Sequence, residues 1–297
     1  MTVTMPILRA LTACLLLVAL AACSPLRLVN AFGNGEDVRE TRGIAYDEGE
    51  RRRLDVYAPP DAREAPVVVF FYGGSWRGGA RGRYAFVGHA LAARGIVTVI
   101  PDYRVYPEVT YPDFLVDSAQ AVAWALREAA AYGGDARRVF VMGHSAGGYN
   151  AAMVALDARW LEAAGSSPAA LAGWIGLAGP YEFLPIINPR VKPVFHHPDT
   201  PADSQPIVHA SADSPPALLI SAAHDFLVEP ARNTGAMAAR LRAAGVPVTE
   251  RYYDRIGHST LIGSLSPPLR SFAPTLEEVV NFVQPERGSR AAQAPRM

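Results

Sequence analysis

Ser145 is the residue of this chain whose neighbours best equip it to act as a nucleophile. It stands in Gly143-His144-Ser145-Ala146-Gly147, a fit to the pattern G-x-S-x-G. Such a pentapeptide also arises by chance, so its surroundings must decide. They supply a β-branched apolar run, Arg137 to Met142 (RRVFVM), before the serine and an alanine-rich run, AGGYNAAMVAL, after it. A sharp strand-to-helix turn between the two lifts the hydroxyl above a sheet and leaves no room for side chains at either glycine. A serine hydroxyl is a weak nucleophile alone, and it needs a base to take its proton and an acid to orient that base.

The elements that must position these groups are legible as alternating runs. PVVVFFY, GIVTVIPDY, RRVFVMGHS, AGWIGLAGP, PALLISAAHD and the more polar PVTERYYD read as strands, most of them apolar enough to be buried on both faces. Helix-period stretches separate them: Tyr84 to Ala93, Asp113 to Ala131, Ala146 to Leu156, Pro230 to Ala244 and Thr275 to Val283. Upstream, TRGIAYDEGERRRLDVYAP reads as an edge hairpin turning at Asp47 to Glu50. The alternation predicts an α/β fold, a mostly parallel twisted sheet with helices on both faces, and ligands at the carboxyl ends of its strands. Between Pro180 and Pro216 the rhythm stops. That proline-rich excursion leaves the carboxyl end of a strand and is expected to form a cap or lid.

These features together resemble the α/β-hydrolase superfamily, in particular carboxylesterase-like, hormone-sensitive-lipase-like and formamidase-like esterases. The resemblance runs from about Val38 to Phe282. In that superfamily the triad order is Ser, then Asp or Glu, then His, which implies that the partners of Ser145 lie downstream. His258, in YYDRIGHST after the last strand, matches the base. His196, His197 and His209 fall in the excursion, and His224 is expected to point away. Asp225 ends PALLISAAHD and resembles the acid of a D-x-x-V loop, with Val228 in register; Asp254 is its rival. FYGGSW resembles the HGG-x-W signature, which implies oxyanion donors at Gly74 and Ser75, with Gly73 able to replace either, joined by the amide of Ala146. This chain has Tyr72 where that signature has histidine. PDYRVYPEVTYPDFLVDSAQAVAWAL is similar to the D-Y-R-L-x-P-E stretch of such esterases, implying structural roles for Tyr103, Arg104, Glu108 and Asp117.

The N-terminus reads as an address. Arg9 precedes thirteen mostly apolar residues, Ala10 to Ala22, too short a run to span a bilayer but suited to a signal sequence. Leu20-Ala21-Ala22-Cys23 resembles a bacterial lipobox and implies cleavage before Cys23 and lipidation of its thiol. The expected organisation is a signal peptide (1–22), a tether (23–38), a hydrolase domain (39–284) with a cap-like insertion (about 180–216) and a tail (285–297). The expected location is the cell envelope, membrane-anchored. Removing Cys14 with the signal leaves Cys23 alone, so no internal disulfide is expected.

Composition narrows the partners. Half of the 297 residues are hydrophobic, 19% are charged and the formal net charge is zero, so a large core is available and the long-range field of a nucleic-acid binder is absent. A small, apolar ester substrate is the expected partner; the resemblance implies no metal or organic cofactor, and nothing specifies an oligomeric state. Two other readings stand beside ester hydrolysis: an arylformamidase-like amide hydrolase, suggested by Gly-Gly-x-Trp, and a non-catalytic lipid-tethered binding protein on the same scaffold.

Overall fold

The computed structural model describes residue 30 and residues 37–285. The signal segment, Cys23, most of the tether and the tail beyond 285 lie outside the described residues. The strands are β1 (Arg39–Ala45), β2 (Arg53–Ala58), β3 (Ala65–Phe71), β4 (Val97–Pro101), β5 (Gly134–His144), β6 (Leu171–Leu177), β7 (Ala217–Ala222) and β8 (Val248–Tyr253). They form one sheet in the order β1-β2-β4-β3-β5-β6-β7-β8. β1 and β2 are antiparallel to their neighbours, and β4 through β8 run parallel with β3.

Every residue of β3 is buried, as an apolar run in a central parallel strand must be. β8 (VTERYY) is more polar and has no fully buried residue because it closes the sheet as an edge. The helices are α1 (Ala85–Ala92), α2 (Asp113–Glu128), α3 (Ala146–Leu156), α4 (Ala158–Ala163), α5 (Ala236–Ala243), α6 (His258–Gly263) and α7 (Thr275–Val283). The stretch expected as one helix from Pro230 begins with a π-helical turn, Ala231–Gly235, before α5. α4 and α6 were not legible because six residues are too few to establish a period.

The excursion from 180 to 216 holds three short 3₁₀ turns, Lys192–Phe195, Ala202–Ser204 and Pro206–His209. Its root is fastened. The buried Asn233 side chain accepts the N–H groups of Tyr181 and Glu182 at 2.7 and 3.0 Å, and Gln205 accepts that of Phe183 at 2.7 Å. Phe195 is fully buried and meets Trp76 edge-on at 4.8 Å, with Tyr111, Phe114 and Tyr149 around it. The excursion is thus welded by aromatic contacts to the loop after β3 and to α2 and α3.

Candidate active site

Ser145 lies between the end of β5 and the start of α3 with φ 56° and ψ −125°, a conformation that costs a non-glycine residue on the order of 1–3 kcal/mol. The turn around it leaves no alternative. A Cβ on Gly143 would collide with the carbonyl of Gly147, and one on Gly147 with the carbonyl of Phe71. The serine amide donates to Leu177 O at 2.9 Å, tying the turn to β6.

His258 is the first residue of α6 rather than a loop residue. The helix starts there because Thr260 Oγ1 accepts the Gly257 N–H at 2.7 Å. His258 Nδ1 donates to Asp225 Oδ2 at 2.7 Å, and Asp225 Oδ1 accepts the backbone N–H groups of Leu227 and Val228 at 2.9 and 3.0 Å. The register between Asp225 and Val228 is therefore an acid-loop turn closed by its own carboxylate. Burial alone would push Asp225 up, but the His258 bond and the two amides hold it below the usual carboxylate range. With Nδ1 donating, Nε2 of His258 is left as an acceptor.

Ser145, Ala146, Ser75, Trp76 and His258 line one cleft of about 470 Å³. Its outer walls come from the start of the excursion, including Phe183 and Ile186, and from the acid loop. Phe183 and Phe195, equivalent in sequence, thus separate: the first faces the cleft and the second is core. The remaining candidates lie elsewhere. His224 and Asp254 are both exposed, 3.9 Å apart; His196 bonds the carbonyl of Tyr111 and His209 that of Asp203. Among the described residues, no group of three His, Cys, Asp or Glu side chains is arranged to hold a metal ion.

The loop after β3 passes beside the serine. A Cβ on Gly73 would come within 2.9 Å of Ser145 Cβ, and one on Gly74, at φ 141°, would strike Gly78 O. Ser75 and Trp76 both take φ 54°, so three consecutive residues leave the ordinary backbone regions to follow the cleft wall. The amide of Ala146 opens α3 and has no intrahelical partner. The Trp76 indole N–H donates to Asn150 Oδ1 at 2.9 Å, and Asn150 donates on to Ser118 Oγ at 3.2 Å. That buried chain fixes the loop against α3 and α2.

Tyr72 is fully buried, stacked between Tyr103 and Tyr84. Its hydroxyl donates to Asp102 Oδ1 at 2.8 Å and accepts from Arg51 at 3.1 Å, while Asp102 also holds the Arg81 backbone and guanidinium. Burial first, then the Asp102 charge, pushes the phenol well above its ordinary value. Tyr103 donates to Tyr72 O at 2.7 Å, and Arg104 makes a bidentate pair with the buried Asp117, which Arg52 also meets. Glu108 does not share that structural role: it is exposed and reaches Arg104 only through its charge.

One further histidine meets the site from a position that the triad order, with its base downstream of the serine, does not single out. His144, directly before Ser145, donates from Nε2 to the backbone carbonyl of His258 at 2.9 Å, with ring centroids 4.9 Å apart. Burial, and then the nearby His258, lower its pKa to about 3, so it is neutral in the working range.

A parallel sheet in this order, with a strained serine at a strand-to-helix turn, defines an α/β-hydrolase. Residues 54–241 match the BD-FAE family model, and the chain belongs to that family. It is similar to isoprenylcysteine alpha-carbonyl methylesterase ICME of Arabidopsis thaliana, 28% identical over 268 residues, covering 82% of this chain and 62% of that protein. Esterase LipC of Mycobacterium tuberculosis is 31% identical over 225 residues, covering 68% of this chain and 55% of that protein. The chain spans from 36% to 62% of the length of such curated relatives. Among solved structures, a hyperthermophilic esterase from Pyrobaculum calidifontis superposes with a TM-score of 0.71 at 22% identity, covering 88% of each chain. A butyrate-bound esterase from Thermogutta terrifontis gives 0.67 at 22% identity, covering 89% of this chain and 98% of that one. These two likenesses are of fold.

Proposed function

We propose that the protein is a serine hydrolase that cleaves carboxylic esters of small, apolar substrates. The observation that carries this reading is the 2.7 Å bond to the buried Asp225 from His258, which lines the same cleft as Ser145. The esterase names of its relatives support it.

Ser145 Oγ attacks the acyl carbon while His258 Nε2 takes its proton, and the negative charge moves onto the former carbonyl oxygen. The amides of Gly74, Ser75 and Ala146 are the proposed donors to that oxygen, each worth roughly 3 kcal/mol in the transition state. The C–O bond then breaks, His258 returns the proton to the leaving alkoxide, and the alcohol departs. Water, deprotonated by His258, attacks the acyl-enzyme and frees the acid and Ser145. Asp225 keeps the imidazole oriented and stabilises its charged form. Cys23 carries a lipid that anchors the mature chain to a membrane of the cell envelope.

A fluorophosphonate probe followed by peptide mapping tests the assignment: label on Ser145 and turnover of p-nitrophenyl acetate are expected. Label elsewhere with activity intact excludes the mechanism. Faster turnover of an N-formyl aromatic amine than of the ester selects the formamidase reading, and absence of both activities selects the binding protein.

A further inference from the structure

The three most exposed large hydrophobic side chains among the described residues are Phe226 (96%), Ile187 (81%) and Leu227 (75%). All three rim the one cleft that holds Ser145 and His258. Phe226 and Leu227 stand on the acid loop immediately after Asp225, and Ile187 faces the cleft from the excursion. Scattered exposed apolar residues are ordinary; a group of them around a single cavity marks a surface that something covers.

The cover must leave the cleft supplied. A second copy seated on this rim would plug the mouth, whereas a fluid lipid phase covers the rim and delivers an ester into it. The charged rim residues are already engaged. Glu229 caps the N–H groups of Ala231 and Arg232, and Arg232 bonds the Leu184 carbonyl and lies 4.0 Å from Glu182. Arg232 is the one cation among the cleft-lining residues and two carboxylates, Glu182 and Glu229, line it as well, so apolar insertion rather than attraction to anionic headgroups is the driving force.

The chain's path agrees. Asn30 donates to the carbonyls of Gly82 and Arg83 at 3.2 and 3.0 Å and accepts the Phe86 N–H at 2.9 Å, which fixes it at the start of α1. That helix begins at the carboxyl edge of the sheet, where the Arg81 amide meets Asp102 just beyond β4. The catalytic cleft opens on the same edge. Cys23 lies seven positions before Asn30, a reach of at most about 25 Å. A lipid on Cys23 would therefore keep this edge within that distance of the bilayer.

We propose that the cleft mouth is a lipid-docking surface: Ile187, Phe226 and Leu227 insert among acyl chains, and the cleft draws its ester from that phase. The inference deepens the hydrolase reading and rests on it for the word ester.

The test uses the full chain with phosphatidylcholine vesicles. In a Phe226→Trp variant, emission should shift to the blue and be quenched by brominated phosphatidylcholine. A Val208→Trp variant should stay unquenched, since Val208 adjoins His209, which lies 3.7 Å from Asp157 at the far end of α3. The triple variant Ile187→Ser, Phe226→Ser, Leu227→Ser should lower the ratio of vesicle-embedded long-chain ester turnover to p-nitrophenyl acetate turnover by about tenfold or more. An unquenched Phe226→Trp variant, an unchanged ratio, or a dimer dispersed by the triple substitution overturns the docking proposal. If the unsubstituted chain fails to turn over p-nitrophenyl acetate, the hydrolase reading falls instead, and quenching still reports docking.

Discussion

His144 Nε2 donates to the backbone carbonyl of His258 at 2.9 Å, so the residue before the strained serine also holds the residue at the start of α6. The bond joins the end of β5 to the start of α6 across 114 positions and fixes the serine turn relative to the imidazole.

Removing that bond should loosen the geometry without touching the reacting groups. His144→Ala is expected to lower kcat by about ten- to a hundredfold, with His144→Gln, which retains a donor, recovering part of the loss. Because the His144 pKa is lowered to about 3, the acid limb of the kcat/KM profile should not move in either variant.

The same group predicts a pH dependence of stability. An unfolded histidine titrates near about 6.5, whereas folded His144 stays neutral down to about 3. Between those values the unfolded chain binds the extra proton, so stability present above pH about 6.5 is lost as pH falls. Denaturant melts should show His144→Gln with a shallower decline, by up to about 1.4 kcal/mol per pH unit.

Ser145 at φ 56° and ψ −125° holds strain that glycine would not. Ser145→Gly should abolish ester turnover, by about a million-fold in kcat, and raise stability by about 1 kcal/mol. A thermal melt that falls instead of rising argues against strain at this turn.

The two rival acids separate by substitution. Asp225→Asn should lower kcat about ten-thousandfold by disrupting the histidine tautomer. Asp254→Asn, at an exposed position beside His224, should leave kcat/KM unchanged.

Asn150→Leu leaves the buried Trp76 indole N–H without its acceptor, at a cost of about 1–3 kcal/mol. Since Trp76 ends the Gly73 to Trp76 segment along the cleft, kcat on p-nitrophenyl acetate should fall as well. Stability lost with kcat intact would separate the two roles.

The local features were readable because they are local. The Ser145 turn needs only five residues, and the spacing of Asp225 to Val228 is explained by amides that bond the carboxylate two and three positions back. The apolar runs foretold the five strands from β3 to β7, where burial on both faces removes polar alternatives; β8, a polar edge, is read from its β-branched and aromatic residues. Tyr72 shows the limit. Its departure from the histidine signature was visible, but its partners Asp102 and Arg51 lie 30 and 21 positions away in sequence. Likewise, nothing in the composition of the excursion distinguishes Phe183, on the cleft, from Phe195, in the core.

The order of strands and helices, the serine turn and the acid loop were determined by the sequence itself, because backbone preference and hydrophobic period act over a few neighbouring residues. Tertiary structure decided which histidine meets which acid, how His144 and Asn150 fasten the site, and that three apolar side chains collect at one mouth. Those outcomes depend on sheet order and packing, which bring together side chains that no local pattern links.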